Sequence, residues 1–247
     1  MYPRSVRQQA LDRLASGATL SQVSRDLSIS RASLRSWRDD EMRPVPARCP
    51  VCEQTSVPRA AYAALLGYYL GDGCLSAHPR YFSLRVSCDA AYPGIVGDVR
   101  RAIDTVRPHR RVFLVEAPGV VVVQAHWKHW PCLFPQHGPG RKHERPIVLD
   151  EWQREIVEEH PADFLRGLFH SDGSRVRNWT TRMVAGERKR YDYPRWQFTN
   201  VSDDIRGLCG WALDLVGVAW RPSNWKTLSV SRRADVARLD ELIGPKR

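Results

Sequence analysis

Hydrophobic positions in the first forty residues recur every three or four residues, which is the spacing of short amphipathic helices. Leu20 and Val23 begin one such stripe. A polar turn at 28–30 separates it from another helix, in which Leu34 faces inward. Two helices joined by a tight turn favour a helix-turn-helix domain over residues 1–42, with a helical hairpin that only packs on the main domain as the alternative. The outward side chains of the last helix are basic or hydroxylated: Arg31, Ser33, Arg35 and Arg38.

A proline-rich stretch over residues 43–57 predicts a linker, because proline interrupts helices. It contains Cys49 and Cys52 in a Cys-x-x-Cys arrangement, which is half of a tetrahedral zinc site. Cys74, Cys88 or one of the eight histidines would complete the site if the fold brings it near. Otherwise the two cysteines are ordinary thiols, so they are candidate zinc ligands at this point.

One segment of the chain occurs twice, at an offset of 100 positions. Residues 65–73 are LLGYYLGDG and residues 165–173 are LRGLFHSDG, so that leucine, glycine, aspartate and glycine coincide. Each copy is followed by an alternating strand pattern, a helix, two more strands and a short helix. We therefore predict an α+β fold of two αββαββα repeats, over residues 58–145 and 146–247.

The strand alternation also indicates which side chains face outward. They are of the types that hydrogen-bond base edges and phosphates. In the first repeat they are Ser83, Arg85 and Ser87, and in the second they are Arg195, Gln197, Thr199, Thr227 and Ser229. Residues 174–194, which include Arg175 and Arg177, have no counterpart of that length in the first repeat. They predict a basic hairpin or loop lying on a duplex, with a solvated surface loop as the alternative.

Charge and composition narrow the class of partner. The chain has 38 Lys+Arg against 27 Asp+Glu and a net charge of +11, which favours a polyanion because basic side chains neutralise phosphates and release counterions. The longest aliphatic run, at 120–123, is far shorter than the ~18 residues of a membrane span. Without an apolar signal segment at the start, the six cysteines predict reduced thiols or metal ligands in a cytoplasmic, nucleoid-associated protein.

The two repeated aspartates indicate a metal site. Asp72 and Asp172 come at the last turn of their helices, where the negative end of the dipole disfavours a carboxylate by up to ~1 kcal/mol. Small side chains four residues apart let two such helices approach closely, which would place both carboxylates side by side. A divalent cation relieves both problems, and metals held by paired carboxylates hydrolyse phosphodiesters. Gly73 and Gly173, directly after the acids, predict left-handed helix caps.

Both segments resemble the paired motifs of the LAGLIDADG homing endonucleases in their single-chain form, from about residue 58 to the C-terminus. The resemblance implies saddle-shaped antiparallel sheets in the DNA major groove and double-strand cleavage with Mg²⁺ or Mn²⁺. Carried over by position, Asp72 and Asp172 bind the metals, with Gly71 and Ser171 as further metal positions. Three residues depart from the family pattern: Leu70, Arg166 and His170.

Members of this family often place a lysine near the metals. Lys226 alternates in phase with the inward residues of its strand, and Lys128 is its rough counterpart, so both are candidates; either would otherwise clamp a phosphate. The first domain resembles the helix-turn-helix of transposases and resolvases. We therefore expect a free-standing, monomeric endonuclease of homing type that binds a long, asymmetric duplex DNA site.

Two other functions remain open from the sequence. A DNA-binding regulator would use the same fold without cutting, and the attached helix-turn-helix favours it. Retention of both acids favours a nuclease instead. An RNA-splicing maturase also shares the fold, although the helix-turn-helix favours duplex DNA.

Overall fold

The computed structural model describes residues 2–41, 49–108 and 110–247. The chain forms two units, Met1–Ala47 and Arg48–Arg247. Residues 43–48 of the predicted linker, with Pro44 and Pro46, lie outside the described residues. Within the described parts of the chain, none of the helices combines the length and the apolar character that crossing a bilayer requires.

Three helices make up the first unit: α1 (Arg4–Ala15), α2 (Leu20–Asp26) and α3 (Arg31–Glu41). A capping box begins α2, in which the Thr19 side chain accepts from the N–H of Gln22 and the Gln22 side chain accepts from the N–H of Thr19. In the turn before α3, Ser28 has a φ of +52° and the buried Ile29 packs with Val23. The second and third helices and their turn therefore lie where the sequence predicts them.

The second unit repeats one order of elements. The first repeat contains α4 (Arg59–Leu70), β1 (Gly73–His78), β2 (Tyr81–Asp89), α5 (Pro93–Val106), β3 (Val112–Ala117), β4 (Val120–Trp127) and α6 (Trp130–Leu133). The second, which follows α7 (Glu151–Glu159), contains α8 (Pro161–Asp172), β5 (Gly173–Val184), β6 (Glu187–Thr199), α9 (Asp203–Leu215), β7 (Arg221–Asn224), β8 (Thr227–Val230) and α10 (Arg233–Ile243). The predicted α+β fold of two αββαββα repeats is confirmed.

Each repeat contains a four-stranded antiparallel sheet. The strand order is β1-β2-β4-β3 in the first sheet and β5-β6-β8-β7 in the second. Along β2, Leu84 and Val86 are buried whereas Arg85 and Ser87 are exposed, as expected for a sheet with one face on the core. The buried faces of both sheets and of the helices in the second unit share one continuous core.

The motif helices α4 and α8 cross with their backbones in contact. A Cβ atom added to Gly67 would lie 2.3 Å from the carbonyl oxygen of Phe164. One added to Gly167 would lie 2.3 Å from the carbonyl oxygen of Ala64. Both distances are far below van der Waals contact, so only glycine fits at the crossing and the predicted close approach is observed.

The predicted left-handed caps at Gly73 and Gly173 are wrong. Gly173 is extended, with φ −89° and ψ 149°, and Gly73 is likewise absent from the positive-φ glycines of the described chain. The chain instead runs from each motif directly into a strand. A Cβ on Gly73 would lie 2.5 Å from Cα of Tyr69, and one on Gly173 would lie 2.4 Å from the carbonyl oxygen of Phe169. Glycine is therefore needed here for space.

Candidate active site between the motif helices

Asp72 and Asp172 lie together where the crossed helices end. Burial raises the pKa of both carboxyl groups, and the pKa of Asp172 reaches about 6 because the charge of Asp72 adds to the effect. The side-chain amide of Asn200 donates to Oδ2 of Asp172 at 2.7 Å, which favours the ionised form and opposes part of the rise. Asp72 keeps more solvent-exposed surface than Asp172, so its carboxyl group is only partly desolvated and solvent reaches this part of the site.

Lys142 covers the C-terminal carbonyl groups of the first motif helix. Its Nζ donates to the carbonyl oxygens of Tyr69, Leu70 and Gly71 at 2.7, 2.8 and 2.6 Å. The last carbonyls of a helix have no partner inside it and form the negative end of its dipole, so an ammonium group is favoured there. Burial lowers the pKa of Lys142 to about 8, although the charges of the two acids act in the opposite direction.

Lys246 takes the equivalent position in the second repeat. Its Nζ donates to the carbonyl oxygens of Ser171 and Gly173 at 3.3 and 2.9 Å. Burial lowers its pKa, and the charges of both acids oppose the shift. Sequence reasoning missed both lysines, although the segments that close the two repeats, 138–142 and 244–247, each contain Gly-Pro followed by a lysine.

The lysines whose charges act on the two acids are Lys142 and Lys246, not Lys128 and Lys226, which the sequence predicts near the metals. Lys128 is exposed in the turn after β4. Lys226 is also exposed, with its Nζ 5.7 Å from the centroid of the Trp225 ring. The alternation of the sequence extends β8 back through Lys226, but the strand begins one residue later and leaves Lys226 in the turn.

The donor atoms at this site suit a hard divalent cation such as Mg²⁺ or Mn²⁺. The structure also brings together Gly71 and Ser171, which the sequence predicts as further metal positions beside the two carboxylates. A Cβ added to Gly71 would lie 2.4 Å from Cβ of Ser171. Their carbonyl oxygens already accept hydrogen bonds from the two lysines. A carbonyl oxygen has a second lone pair, so these contacts leave room for a metal bond.

The order of elements, the crossed motif helices and the two acids at their ends match what the family resemblance implies. The chain has the two-repeat α+β architecture that this resemblance implies. Among solved structures it is similar to three homing endonucleases: I-DmoI in complex with DNA and Mn (TM-score 0.48, 13% identity, 76% of this chain and 98% of that one), I-AabMI bound to uncleaved DNA (0.46, 10%, 73% and 82%) and I-SmaMI bound to uncleaveable DNA (0.45, 9%, 74% and 83%).

No protein-family model and no curated protein matches the chain. The assignment of each site residue therefore depends on the contacts that the residue makes.

The first sheet presents Arg85 and Ser87 on its outward face, as predicted, whereas the predicted Ser83 is buried. Ser83 is 1% exposed although it alternates in phase with the other two. Its cross-strand partner on β4 is His126, and the ring of His126 stacks on Tyr81 at a centroid distance of 4.6 Å. These two rings flank Ser83 on the outward face and shield it from solvent.

The second sheet shows a similar difference. Arg195 and Gln197 are half-buried and Thr199 is exposed, but the predicted Thr227 and Ser229 are buried. Arg195 donates through Nε to Oγ of Ser229, and the hydroxyl groups of Thr199 and Thr227 lie 3.1 Å apart. Residues on β6 thus cover those on β8: Arg195 reaches Ser229, whose cross-strand partner is Gln197, and Thr199 lies opposite Thr227.

The predicted basic segment is a long hairpin. Strands β5 and β6 pair as far as Val184 and Glu187, and the two turn residues between them both have positive φ. Arg177 is exposed, with 83% of its side-chain surface accessible. Arg175, predicted to contact DNA, is held elsewhere. It pairs with Trp196 on the core-facing side of the sheet, and it donates two hydrogen bonds of 2.8 Å to Asp240.

The predicted DNA-contacting residues of α3 lie mostly in solvent. Arg31, Arg35 and Arg38 are exposed. Ser33 is half-buried, and its hydroxyl lies 2.8 Å from that of Ser30 at the start of the helix. The helix therefore offers a basic outer face.

The candidate zinc residues Cys49 and Cys52 belong to a separate cluster. The structure brings them to His129, one of the histidines that the prediction allowed, and to Cys132, whereas Cys74 and Cys88 lie outside the cluster. Cys74 is exposed on β1. Cys88 lies near Asp72, and burial together with the charge of Asp72 raises the pKa of the Cys88 thiol.

Proposed function

We propose that this chain is a metal-dependent, site-specific DNA endonuclease of homing type that hydrolyses one phosphodiester in each strand. One observation carries the proposal: the crossing of α4 and α8 brings Asp72 and Asp172 together, each with a lysine of its own repeat nearby. Paired carboxylates with raised pKa values have no structural use at the ends of two helices, where the dipoles disfavour them.

The residues of the site divide the chemistry between them. Bound Mg²⁺ or Mn²⁺ would supply a Lewis acid and a water of lowered pKa. Asp72 and Asp172 hold the cation in their ionised forms, and Asn200 orients the carboxylate of Asp172. Lys142 and Lys246 place positive charge beside the phosphate, where negative charge develops as the bond to the leaving oxygen breaks.

The remaining surfaces supply the DNA contacts in this proposal. The outward faces of the two sheets and the β5–β6 hairpin bind the duplex, and exposed arginines of α3 extend the footprint. Because both acids belong to one chain, a monomer carries both cleavage functions. Two repeats with different side chains then favour a long, asymmetric target.

Selection of bound and cleaved fragments from a random duplex library tests the proposal directly. The expected result is one recovered sequence that, with Mg²⁺, is converted to linear double-strand product. Tight binding without cleavage in either Mg²⁺ or Mn²⁺ would instead identify a DNA-binding regulator. Binding only to structured RNA would point to a maturase.

The two lysines of the site should contribute strongly to the rate. We expect Lys142→Met and Lys246→Met each to lower the cleavage rate about 100-fold, because each removes one positive charge from the reacting phosphate. Lys128→Met and Lys226→Met are matched controls that should cut within about twofold of the wild-type rate. Single-turnover cleavage of the selected site measures the rate of all four variants. Their thermal unfolding midpoints show whether losing the lysine contacts at the helix ends also lowers stability. A larger loss in Lys226→Met than in Lys246→Met would contradict the assignment.

Binding should depend on the outward face of the first sheet. We expect Arg85→Ala to weaken DNA affinity about tenfold and to lower the slope of log affinity against log salt by about 1 if Arg85 contacts a phosphate. Arg175→Ala is the control, since Arg175 lies on the opposite face of its sheet and is held by Asp240. Fluorescence anisotropy over a range of salt concentrations measures both variants. Equal losses in the two would refute the assignment of the outward faces to DNA.

A further inference from the structure

Four potential metal ligands, two from the segment before α4 and two from the first repeat, converge on one point. They are Cys49, Cys52, His129 and Cys132, called here the Cys3His cluster. Their Sγ and Nδ1 or Nε2 atoms all lie within 4.8 Å of one another. The cluster consists of a Cys-x-x-Cys pair and a His-x-x-Cys pair, and in each pair two ligands are separated by two residues, the closest spacing common in structural zinc sites.

The distances between these atoms fit a tetrahedral ion. Sγ of Cys52 lies 3.5 Å from Nδ1 of His129 and 3.7 Å from Sγ of Cys132, and Sγ of Cys132 lies 3.7 Å from Nδ1 of His129. With zinc–sulfur bonds of ~2.3 Å and zinc–nitrogen bonds of ~2.0 Å, a regular tetrahedron has edges of about 3.5–3.8 Å. The three measured edges fall in this range.

The loop around Cys49 is shaped like a metal-binding turn. The backbone N–H groups of Val51 and Cys52 hydrogen-bond to the buried thiol of Cys49. The N–H of Glu53 donates to the carbonyl oxygen of Cys49 at 2.9 Å and closes the turn. Backbone amides directed at a ligand sulfur fix its position, in the way that outer-shell hydrogen bonds orient metal ligands.

The loop that carries Cys52 buries little apolar surface. Residues 51–56 are all exposed and form no helix or strand. The contact between Cys52 and Cys132 nevertheless joins positions 80 residues apart. A loop with so little apolar burial gains a fixed place from a metal ion, since metal binding supplies the ordering free energy that a small core lacks.

We propose that the Cys3His cluster binds one structural zinc ion, which fastens the segment before α4 to the turn between β4 and α6. Cysteine and histidine are the ligands that zinc prefers, whereas the Mg²⁺ or Mn²⁺ of the cleavage site prefers oxygen. The same atoms argue against a disulfide: the Cys52 and Cys132 sulfurs lie 3.7 Å apart, compared with ~2.05 Å in a disulfide, and a disulfide would leave the other two ligands without a role.

Metal analysis of the full chain, purified without chelator, tests the site. Elemental analysis by mass spectrometry should find about one zinc per chain. Exchange for Co²⁺ should give the visible absorption of a tetrahedral ion and the near-ultraviolet charge-transfer band of thiolate ligands. Both readouts are independent of DNA cleavage, so an inactive nuclease that binds zinc would leave this inference standing. Wild-type protein that takes up neither zinc nor Co²⁺ would overturn it, as would a Cys52–Cys132 disulfide in non-reduced peptide maps.

Variants locate the ion. Cys52→Ser and Cys132→Ser should lose the bound zinc and lower the thermal midpoint, whereas Cys74→Ser, at an exposed cysteine outside the cluster, should keep both unchanged. Asp172→Asn should also retain the zinc, which separates this ion from the one at the cleavage site. His129→Cys keeps four ligands and should therefore retain zinc, with a Co²⁺ spectrum shifted toward that of four thiolates. This variant keeps the test valid even if the serine variants fail to fold. Full zinc content in Cys132→Ser would overturn the assignment.

Discussion

Replacing Asp172 with asparagine should lower the rate of DNA cleavage by at least about 10³-fold while leaving DNA affinity within about threefold of wild type. The substitution keeps the size of the side chain and its contact with Asn200, but it removes the charge that holds the metal. Asp72→Asn should have an equally large effect, because the two carboxylates act on one site. Cleavage of the selected duplex in Mg²⁺ and anisotropy in Ca²⁺ measure the two quantities separately.

A matched control for these variants lies on the surface of α5. Asp104→Asn removes a carboxylate of the same kind, whose nearest partner, Arg100, is 3.8 Å away and exposed. It should leave both cleavage and binding unchanged, since exposed ion pairs contribute little. If Asp72→Asn and Asp172→Asn cut as fast as Asp104→Asn, the metal site lies elsewhere and the proposed mechanism fails.

Replacing Gly67 or Gly167 with alanine should lower the free energy of unfolding by about 3 kcal/mol or more. In each case the added methyl group would lie 2.3 Å from a carbonyl oxygen of the other helix, so the helices must separate. Separation would also move Asp72 and Asp172 apart, and cleavage should fall with stability. Urea unfolding followed by circular dichroism measures the change.

Gly207→Ala is the control for the glycine variants. Gly207 lies within α9, where an added Cβ would meet nothing within 4 Å. Alanine is a better helix former than glycine, so this variant should be up to about 1 kcal/mol more stable than wild type. Unfolding free energies that are alike for Gly67→Ala and Gly207→Ala would show that the motif helices do not pack through their backbones.

The sequence by itself determined the architecture and the two acids. The copies at 65–73 and 165–173 coincide at four positions, and periods of two and 3.6 residues mark the strands and helices that follow. These are local signals, because a strand alternates and a helix turns whatever lies beside it. Asp72 and Asp172 were predictable for the same reason, since each occupies a fixed place within its own motif.

The tertiary structure decided which distant residues meet. Lys142 reaches the carbonyl group of Tyr69, 73 positions earlier in the chain, and Cys52 contacts Cys132, 80 positions later. Ser83 and Ser229 alternate as outward residues should, yet neighbours on the same sheet face cover them. Alternation gives the face on which a side chain lies but not what lies above it. The two lysines beside the acids, the buried hydroxyl groups and the Cys3His cluster all depend on such contacts, which no local pattern in the sequence contains.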